Sequence, residues 1–231
     1  MMSREEIQKD FDRIAVLSDG ECEAGGIYDA FLQQFIPTRC DLALEIGCGT
    51  GTFTRLLARR AGHVVATDLS GEMIRVARER SADYQNLEYS VGDVLKMNLP
   101  PNQFDCIVLI ATLHHLPNDL VLAKLKQALK PEGVLILHDL LTASGILDRA
   151  ADLIRFPVNM ATAYVRTGYF RPRREVRRAW AEHAKGERYL TKAEVLTMRN
   201  QYFRGAYVKN HLLWRYTLVW RKRAEEEETE P

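Results

Sequence analysis

Between Asp41 and Leu141 the chain switches repeatedly between two hydrophobic spacings. Some short runs are apolar at nearly every position, as in CIVLIA (106–111), and predict strands buried on both faces. The segments between them carry apolar residues three and four apart among charges, and predict amphipathic helices. The strands are LALEI (42–46), HVVAT (63–67), LEYSVGD (87–93), FDCIVLIA (104–111) and VLILHDLL (134–141). The helices are TFTRLLARRA (52–61), GEMIRVARERSA (71–82) and NDLVLAKLKQALK (118–130), the last with Val121, Leu125 and Ala128 on one face; LKPEG (129–133) is a turn. Strands alternating with helices predict a parallel sheet covered on both sides.

The pattern changes after residue 141. A helical stretch runs from Ser144 to about Tyr164 and is interrupted by Pro157. A basic segment follows, and then TKAE (191–194), whose Thr-x-x-Glu spacing is that of a capping box and predicts a helix start. Near the C-terminus Trp214, Tyr216, Leu218 and Trp220 alternate with Arg215, Thr217, Val219 and Arg221, a period of two that predicts a strand with one buried face in a hairpin at the sheet edge. Residues 1–40 form an N-terminal helical extension that contains GGIYDAFLQQF.

Composition narrows the class without choosing a function. The 231 residues are 46% apolar and 27% charged, as in a soluble globular protein, and fit one α/β domain with an elaboration or at most two small domains. A formal charge of +1 gives no overall pull toward nucleic acid. Cys22, Cys40, Cys48 and Cys106 lack CxxC spacing and read as reduced thiols of a cytoplasmic protein; no metal is expected. The charged N-terminus has no apolar core for a signal peptide, no run is long enough for a transmembrane segment, and AEEEETEP reads as a disordered acidic tail.

The chemistry concentrates in LEIGCGTGTF. Gly47, Gly49 and Gly51 follow a strand and precede a helix, where the backbone can pass close to a ligand. A dinucleotide turn needs G-x-G-x-x-G, but its third glycine position is Thr52, which disfavours a NAD-dependent oxidoreductase; no Walker lysine follows either. The acid at Glu45 suits a cationic ligand better than a phosphate. This motif resembles the first motif of the class I S-adenosylmethionine (SAM)-dependent methyltransferases, of the small-molecule type that includes the ubiquinone/menaquinone enzymes. VVATDLS, GDVLKMNLP, FDCIVLIATLHHL and LKPEGVLILHD resemble the family's later segments and arrive in its order, over about residues 40–141.

The resemblance implies a doubly wound, Rossmann-like, mostly parallel α/β sheet with an antiparallel C-terminal edge strand. It implies SAM as cofactor, with S-adenosylhomocysteine (SAH) as product. Glu45 would hold the methionyl ammonium. Gly47, Cys48, Gly49 and Gly51 would let the backbone approach the methionine and ribose. Asp68 would accept from the ribose hydroxyls. Leu69 and Met73 would pack on the adenine, with Gly92, Asp93 and the Val94 backbone at its edge. Ala111 or Thr112 would lie near the sulfonium, and Tyr28 would be the aromatic of a lid. The bland alternative for Asp68 is a cap on the helix that begins at Gly71.

His115 and His114 sit just past the fourth strand, where such sheets bind substrates, and are the candidate general bases; His138 and Asp139 are a second pair at the same edge. Residues 166–188 carry Arg166, Arg171, Arg173, Arg174, Arg177, Arg178, Lys185 and Arg188 against Glu175, Glu182 and Glu187. That balance leaves two readings, an anionic acceptor or membrane surface and a solvated face with ion pairs. ATLHH replaces the Asn/Asp-Pro-Pro-aromatic clamp of amino-methylating nucleic-acid enzymes, so a small-molecule acceptor is expected and no nucleic acid. Rival classes are a SAM-binding protein without catalysis and a membrane-associated lipid or quinone methyltransferase. The division expected is a cap (1–40), a SAM-binding core (41–141), a helical substrate insert (142–190), a C-terminal helix with edge hairpin (191–223) and the tail (224–231).

Overall fold

A computed structural model describes residues 2–18, 26–142 and 173–224, with residues 157–158, 160–162 and 164–165 also described and helical. The long helix expected at 144–164 and the tail beyond residue 224 therefore lie largely or wholly outside the described residues. In chain order the elements are α1 (Arg4–Ser18), α2 (Asp29–Leu32), β1 (Leu42–Ile46), α3 (Thr52–Ala58), β2 (His63–Asp68), α4 (Gly71–Arg80) and β3 (Leu87–Val91). There follow β4 (Phe104–Ile110), α5 (Asn118–Ala128), β5 (Leu129–Leu140), α6 (Arg174–His183), α7 (Lys192–Tyr202), β6 (Tyr207–His211) and β7 (Arg215–Arg221).

The sheet order is β3-β2-β1-β4-β5-β7-β6. The first five strands are parallel, and β7 runs against both β5 and β6. The antiparallel strand thus lies one place in from the edge, which β6 occupies. Trp214, expected in the strand, sits in the tight turn before it at φ 47, while Tyr216, Leu218 and Trp220 are buried along β7.

The unbroken apolar runs are explained by the two faces they serve. Ile107 and Leu109 of β4 join one core with α5, α7 and β7, through residues such as Val121, Leu125, Met198 and Tyr216. Cys106 and Val108 join the other, with Phe53 and Leu57 of α3 and Leu32 and Ile36 of the N-terminal region. With both sides buried, a period of two leaves no trace in polarity. At LKPEG the ladder hydrogen bonds continue, so β5 begins at Leu129, but the register jumps between Phe104–Leu129 and Cys106–Val134 and Glu132 takes φ 63. The expected turn is a bulge within the strand. The capping box is present as expected: Thr191 accepts from the Glu194 amide, and Glu194 accepts from that of Thr191.

Two consequences matter for the site. The order reverses at β1, which is bonded to β2 on one side and β4 on the other, so a crevice opens at the carboxyl ends of β1 and β4. The helix α1 packs on α4 and α6 and lies over that crevice. Among the described residues no helix is long and apolar enough to cross a membrane.

Candidate active site

A cavity of about 480 Å³ fills the crevice. Its floor is made where the loops after β1 and β4 meet. Gly47 has φ 70, and a Cβ there would stand 2.2 Å from the Thr112 hydroxyl, so only glycine lets the two loops touch. Gly49 also lies in the left-handed region, at φ 52, yet a Cβ there would meet nothing within 4 Å. The side of Gly49 on which a Cβ would stand is open space, and the residue lines the cavity. Ala111 is held at φ 50, an uncommon conformation for a residue with a side chain, by a hydrogen bond from its amide to the His138 carbonyl at 2.7 Å.

Four carboxyl groups line the cavity: Asp29, Glu45, Asp68 and Asp93. Glu45 is 2% exposed and accepts from the Thr54 hydroxyl at 2.6 Å. Burial pushes its carboxyl up to about 8. Asp68 accepts from the Gly49 amide through one oxygen and from the Ser70 amide through the other, both at 2.9 Å, and so ties the loops after β1 and β2 together. Burial raises its pKa as well. Asp68 does not cap α4. Ser70 does, accepting from the Met73 amide at 3.0 Å, so the capping alternative for Asp68 falls away. One oxygen of Asp93 accepts from the Leu95 amide and from Arg4 of α1, each at 3.0 Å.

Most residues singled out from the sequence converge here: Glu45, Gly47, Cys48, Gly49, Asp68, Leu69, Met73, Gly92, Asp93, Val94, Ala111 and His115 all line the cavity. Three do not. Gly51 is the left-handed N-cap of α3, where a Cβ would meet the Tyr89 hydroxyl at 2.4 Å. Tyr28 packs on the rings of His138 and His211, and its hydroxyl accepts from the Leu213 amide at 3.2 Å. The cover comes from α1 instead, through Arg4, Ile7, Phe11, Ile14, Ala15 and Ser18, joined by Trp180 of α6. The spacing of those α1 residues is one helical face, and Ile7-x3-Phe11-x2-Ile14 was readable in the sequence; what it would pack against was not. Asp12 anchors the helix, accepting from the Ser70 hydroxyl at 2.5 Å and from the Glu72 amide at 3.3 Å at the start of α4.

His114, the third, turns away from the cavity. Its Nδ1 lies 2.7 Å from Asp139 Oδ1, and its amide donates to the other Asp139 oxygen at 3.0 Å. His138 is bonded to the Thr217 hydroxyl at 2.9 Å, and burial lowers its pKa to about 3, which keeps the ring neutral. Burial also lowers the pKa of His115. On α6 the basic residues Arg174, Arg177 and Arg178 are exposed while Val176, Ala179 and His183 are buried. Glu182 accepts from Arg178 at 2.9 Å and from Arg13 of α1 at 2.8 Å. This part of the segment is a solvated face with ion pairs; Arg166 and Arg171 lie outside the described residues.

The donor set answers which ligand fits. The carboxyl groups of Glu45, Asp68 and Asp93 favour a ligand that brings ammonium and hydroxyl donors over one that brings a pyrophosphate. A methyltransferase-domain family model matches residues 44–137, the stretch that forms β1 through β5. This stretch is similar to a methyltransferase domain. Solved structures that share its fold hold SAM or SAH.

The chain is 32% identical over 118 residues to an uncharacterized methyltransferase of Mycobacterium tuberculosis, covering 51% of this chain and 59% of that one. It is 33% identical over 126 residues to a ubiquinone/menaquinone biosynthesis C-methyltransferase of Teredinibacter turnerae, covering 51% of each. The chain thus matches between half and three-fifths of these relatives' length. The methyltransferase fold extends beyond the matched stretch. DhpI in complex with SAH superposes with a TM-score of 0.63 at 18% identity, covering 96% of this chain and 98% of that one. Phosphoethanolamine N-methyltransferase 2 of Haemonchus contortus gives 0.61 at 20% identity, covering 91% and 46%.

Proposed function

We propose that the chain transfers a methyl group from SAM to a small-molecule acceptor held between the β4 end of the cavity and the α1–α6 cover. The observation that carries this reading is the open backbone at Gly49, flanked by Glu45, Asp68 and Asp93. It is a cradle for a ligand with cationic and hydroxyl groups. Glu45 would face the ammonium, Asp68 the ribose diol, and Asp93 with Val94 the adenine edge, with Leu69 and Met73 against the ring. When bound, SAM supplies a methyl group already activated by its sulfonium.

The chain then has little chemistry left to do. Its residues hold the acceptor in line and keep water out, and alignment alone can supply much of the rate. Phe11, Trp180, Thr112 and His115 bound the side of the cavity left to the acceptor. A side-chain base is not required by this reading, and of the two histidines only His115 reaches the cavity.

A second reading has an observation of its own. Relatives at 31–33% identity include a ubiquinone/menaquinone biosynthesis C-methyltransferase and a demethylmenaquinone methyltransferase, so a quinone ring carbon is the acceptor class to try first. The test is a reaction of the full chain with SAM, with quinone precursors in detergent in one arm and soluble alcohols, amines and carboxylates in the other. Products are read by mass spectrometry for the gain of one methyl group. Product in either arm, with SAH formed in equal amount, supports transfer and names the acceptor class. Tight SAH binding with no product in any arm would leave a SAM-binding protein without catalysis.

A further inference from the structure

Behind His115 lies a buried group of side chains that methyl transfer does not use. It is assembled from the turn Leu113–His115, the end of β5, α1, and α6 with the residues that follow it. Glu187 is at its centre, with its side chain 4% exposed. Its Oε2 lies 3.1 Å from His115 Nδ1 and 3.8 Å from His114 Nε2, and its Oε1 lies 3.6 Å from His183 Nε2. Despite the 3.1 Å approach, His115 Nδ1 makes no hydrogen bond and is buried from solvent. An unpartnered buried ring nitrogen is costly unless something else occupies its lone pair.

The spacing suggests what that is. Zinc bonds of about 2.0–2.1 Å in a tetrahedral site set the ligand atoms roughly 3.3–3.4 Å apart. The donor atoms of His114, His115 and Glu187 all lie within 4.8 Å of one another, with two of the separations straddling that value. A second set of contacts points the same way. Asp139 Oδ1 is 2.7 Å from His114 Nδ1, and Asp10 Oδ2 is 3.0 Å from His183 Nδ1. The carboxylate on the outer ring nitrogen of His114 places the proton there, turns its Nε2 lone pair toward Glu187, and raises the basicity of the imidazole, as carboxylates behind metal-bound histidines do. Two imidazoles and one carboxylate suit zinc-like ions; calcium and magnesium prefer all-oxygen shells.

We propose that His114 Nε2, His115 Nδ1 and one oxygen of Glu187 bind a divalent transition-metal cation of the zinc class, with Asp139 orienting His114 and with His183, itself held by Asp10, packed beside the second oxygen of Glu187. Three protein ligands leave one position for water or an oxygen or nitrogen atom of an acceptor. The ion draws the segment after α6 onto the ends of β4 and β5 and so fixes the acceptor side of the cavity. The site stands whether or not the chain transfers methyl groups.

The test uses the full chain, treated with chelator, dialysed, and titrated first with Co2+, whose visible absorption reports coordination, then with Zn2+. The expected result is one Co2+ per chain with the strong bands of a low-coordinate site, displaced by one equivalent of Zn2+. Glu187→Gln and His114→Ala should each weaken binding at least tenfold. Asp139→Asn should weaken it by about ten- to a hundredfold through His114 alone. His63→Ala, outside the cluster, should leave it unchanged. SAH affinity and far-ultraviolet circular dichroism record that each variant is folded. Absence of a one-equivalent transition, or bands kept in both Glu187→Gln and His114→Ala, overturns the site. Failure of the unsubstituted chain to bind Co2+ or Zn2+ while it binds SAH would sink this proposal alone and leave the methyl-transfer reading standing.

Discussion

Each oxygen of Asp68 already accepts one backbone amide, and each has a further lone pair to offer. Asp68→Ala should weaken SAH by about 1–3 kcal/mol, the cost of a lost charged hydrogen-bond partner, with the fold retained because Ser70 still caps α4. Unchanged affinity in calorimetry would remove Asp68 from the cofactor site. Glu45 allows a sharper test. Near neutrality its carboxyl, pushed to about 8, keeps its proton in the ligand-free protein. An ammonium brought against it favours the carboxylate, so SAM binding at about pH 7 should release a proton. Calorimetry in buffers of different ionisation enthalpy reads that proton, and Glu45→Gln should abolish it. The same heat in every buffer would show that Glu45 does not meet the cation. The acids and glycines of this site were legible in the sequence because each belongs to a strand end or turn of fixed local geometry. The Glu187 cluster was not, because contacts such as Asp10 to His183 join residues that no local pattern links.

At the scale of elements, α1 is the part the sequence left open. The sheet was legible strand by strand, since its apolar runs and the turns between them are local signals. The expected lid at Tyr28 failed for the opposite reason. An aromatic residue in a glycine-flanked loop shows an apolar surface but not its partner, and here the partner is the hairpin of β6 and β7. The cover over the cavity depends on Asp12, whose carboxylate sits at the N-terminus of α4 and takes the Ser70 hydroxyl. A charge in that position stabilises by about 0.3–1 kcal/mol, and the hydrogen bond adds to it. Asp12→Ala should therefore loosen α1 without unfolding the sheet. Hydrogen exchange should rise in residues 4–18 while β1 and β4 stay protected, and SAH should dissociate faster. Uniform exchange across the chain would mean that α1 is integral to global stability rather than a separately held cover.

For the molecule as a whole, two buried groups pull stability in opposite directions with pH. His138 falls from 6.5 to about 3 on folding, so the unfolded chain takes up its proton first, and stability is present above 6.5 and lost as pH falls toward 3. Glu45 rises from 4.5 to about 8, so its contribution is full below 4.5 and lost as pH rises toward 8. Between 4.5 and 6.5 the two slopes cancel. Urea midpoints against pH should show a plateau there, with Glu45→Gln flattening the alkaline limb and His138→Gln the acid limb. Identical profiles for wild type and both variants would place the pH response elsewhere.

The position of α1 also sets an order of events during synthesis. Its apolar face of Ile7, Phe11 and Ile14 leaves the ribosome before anything it will rest on. The first support, α4, follows within tens of residues, but α6 begins only at Arg174. At ordinary translation speeds of about 5–20 residues per second the face waits roughly ten to thirty seconds for its second support. Throughout that interval it is an uncovered apolar strip of the nascent chain, open to chaperones.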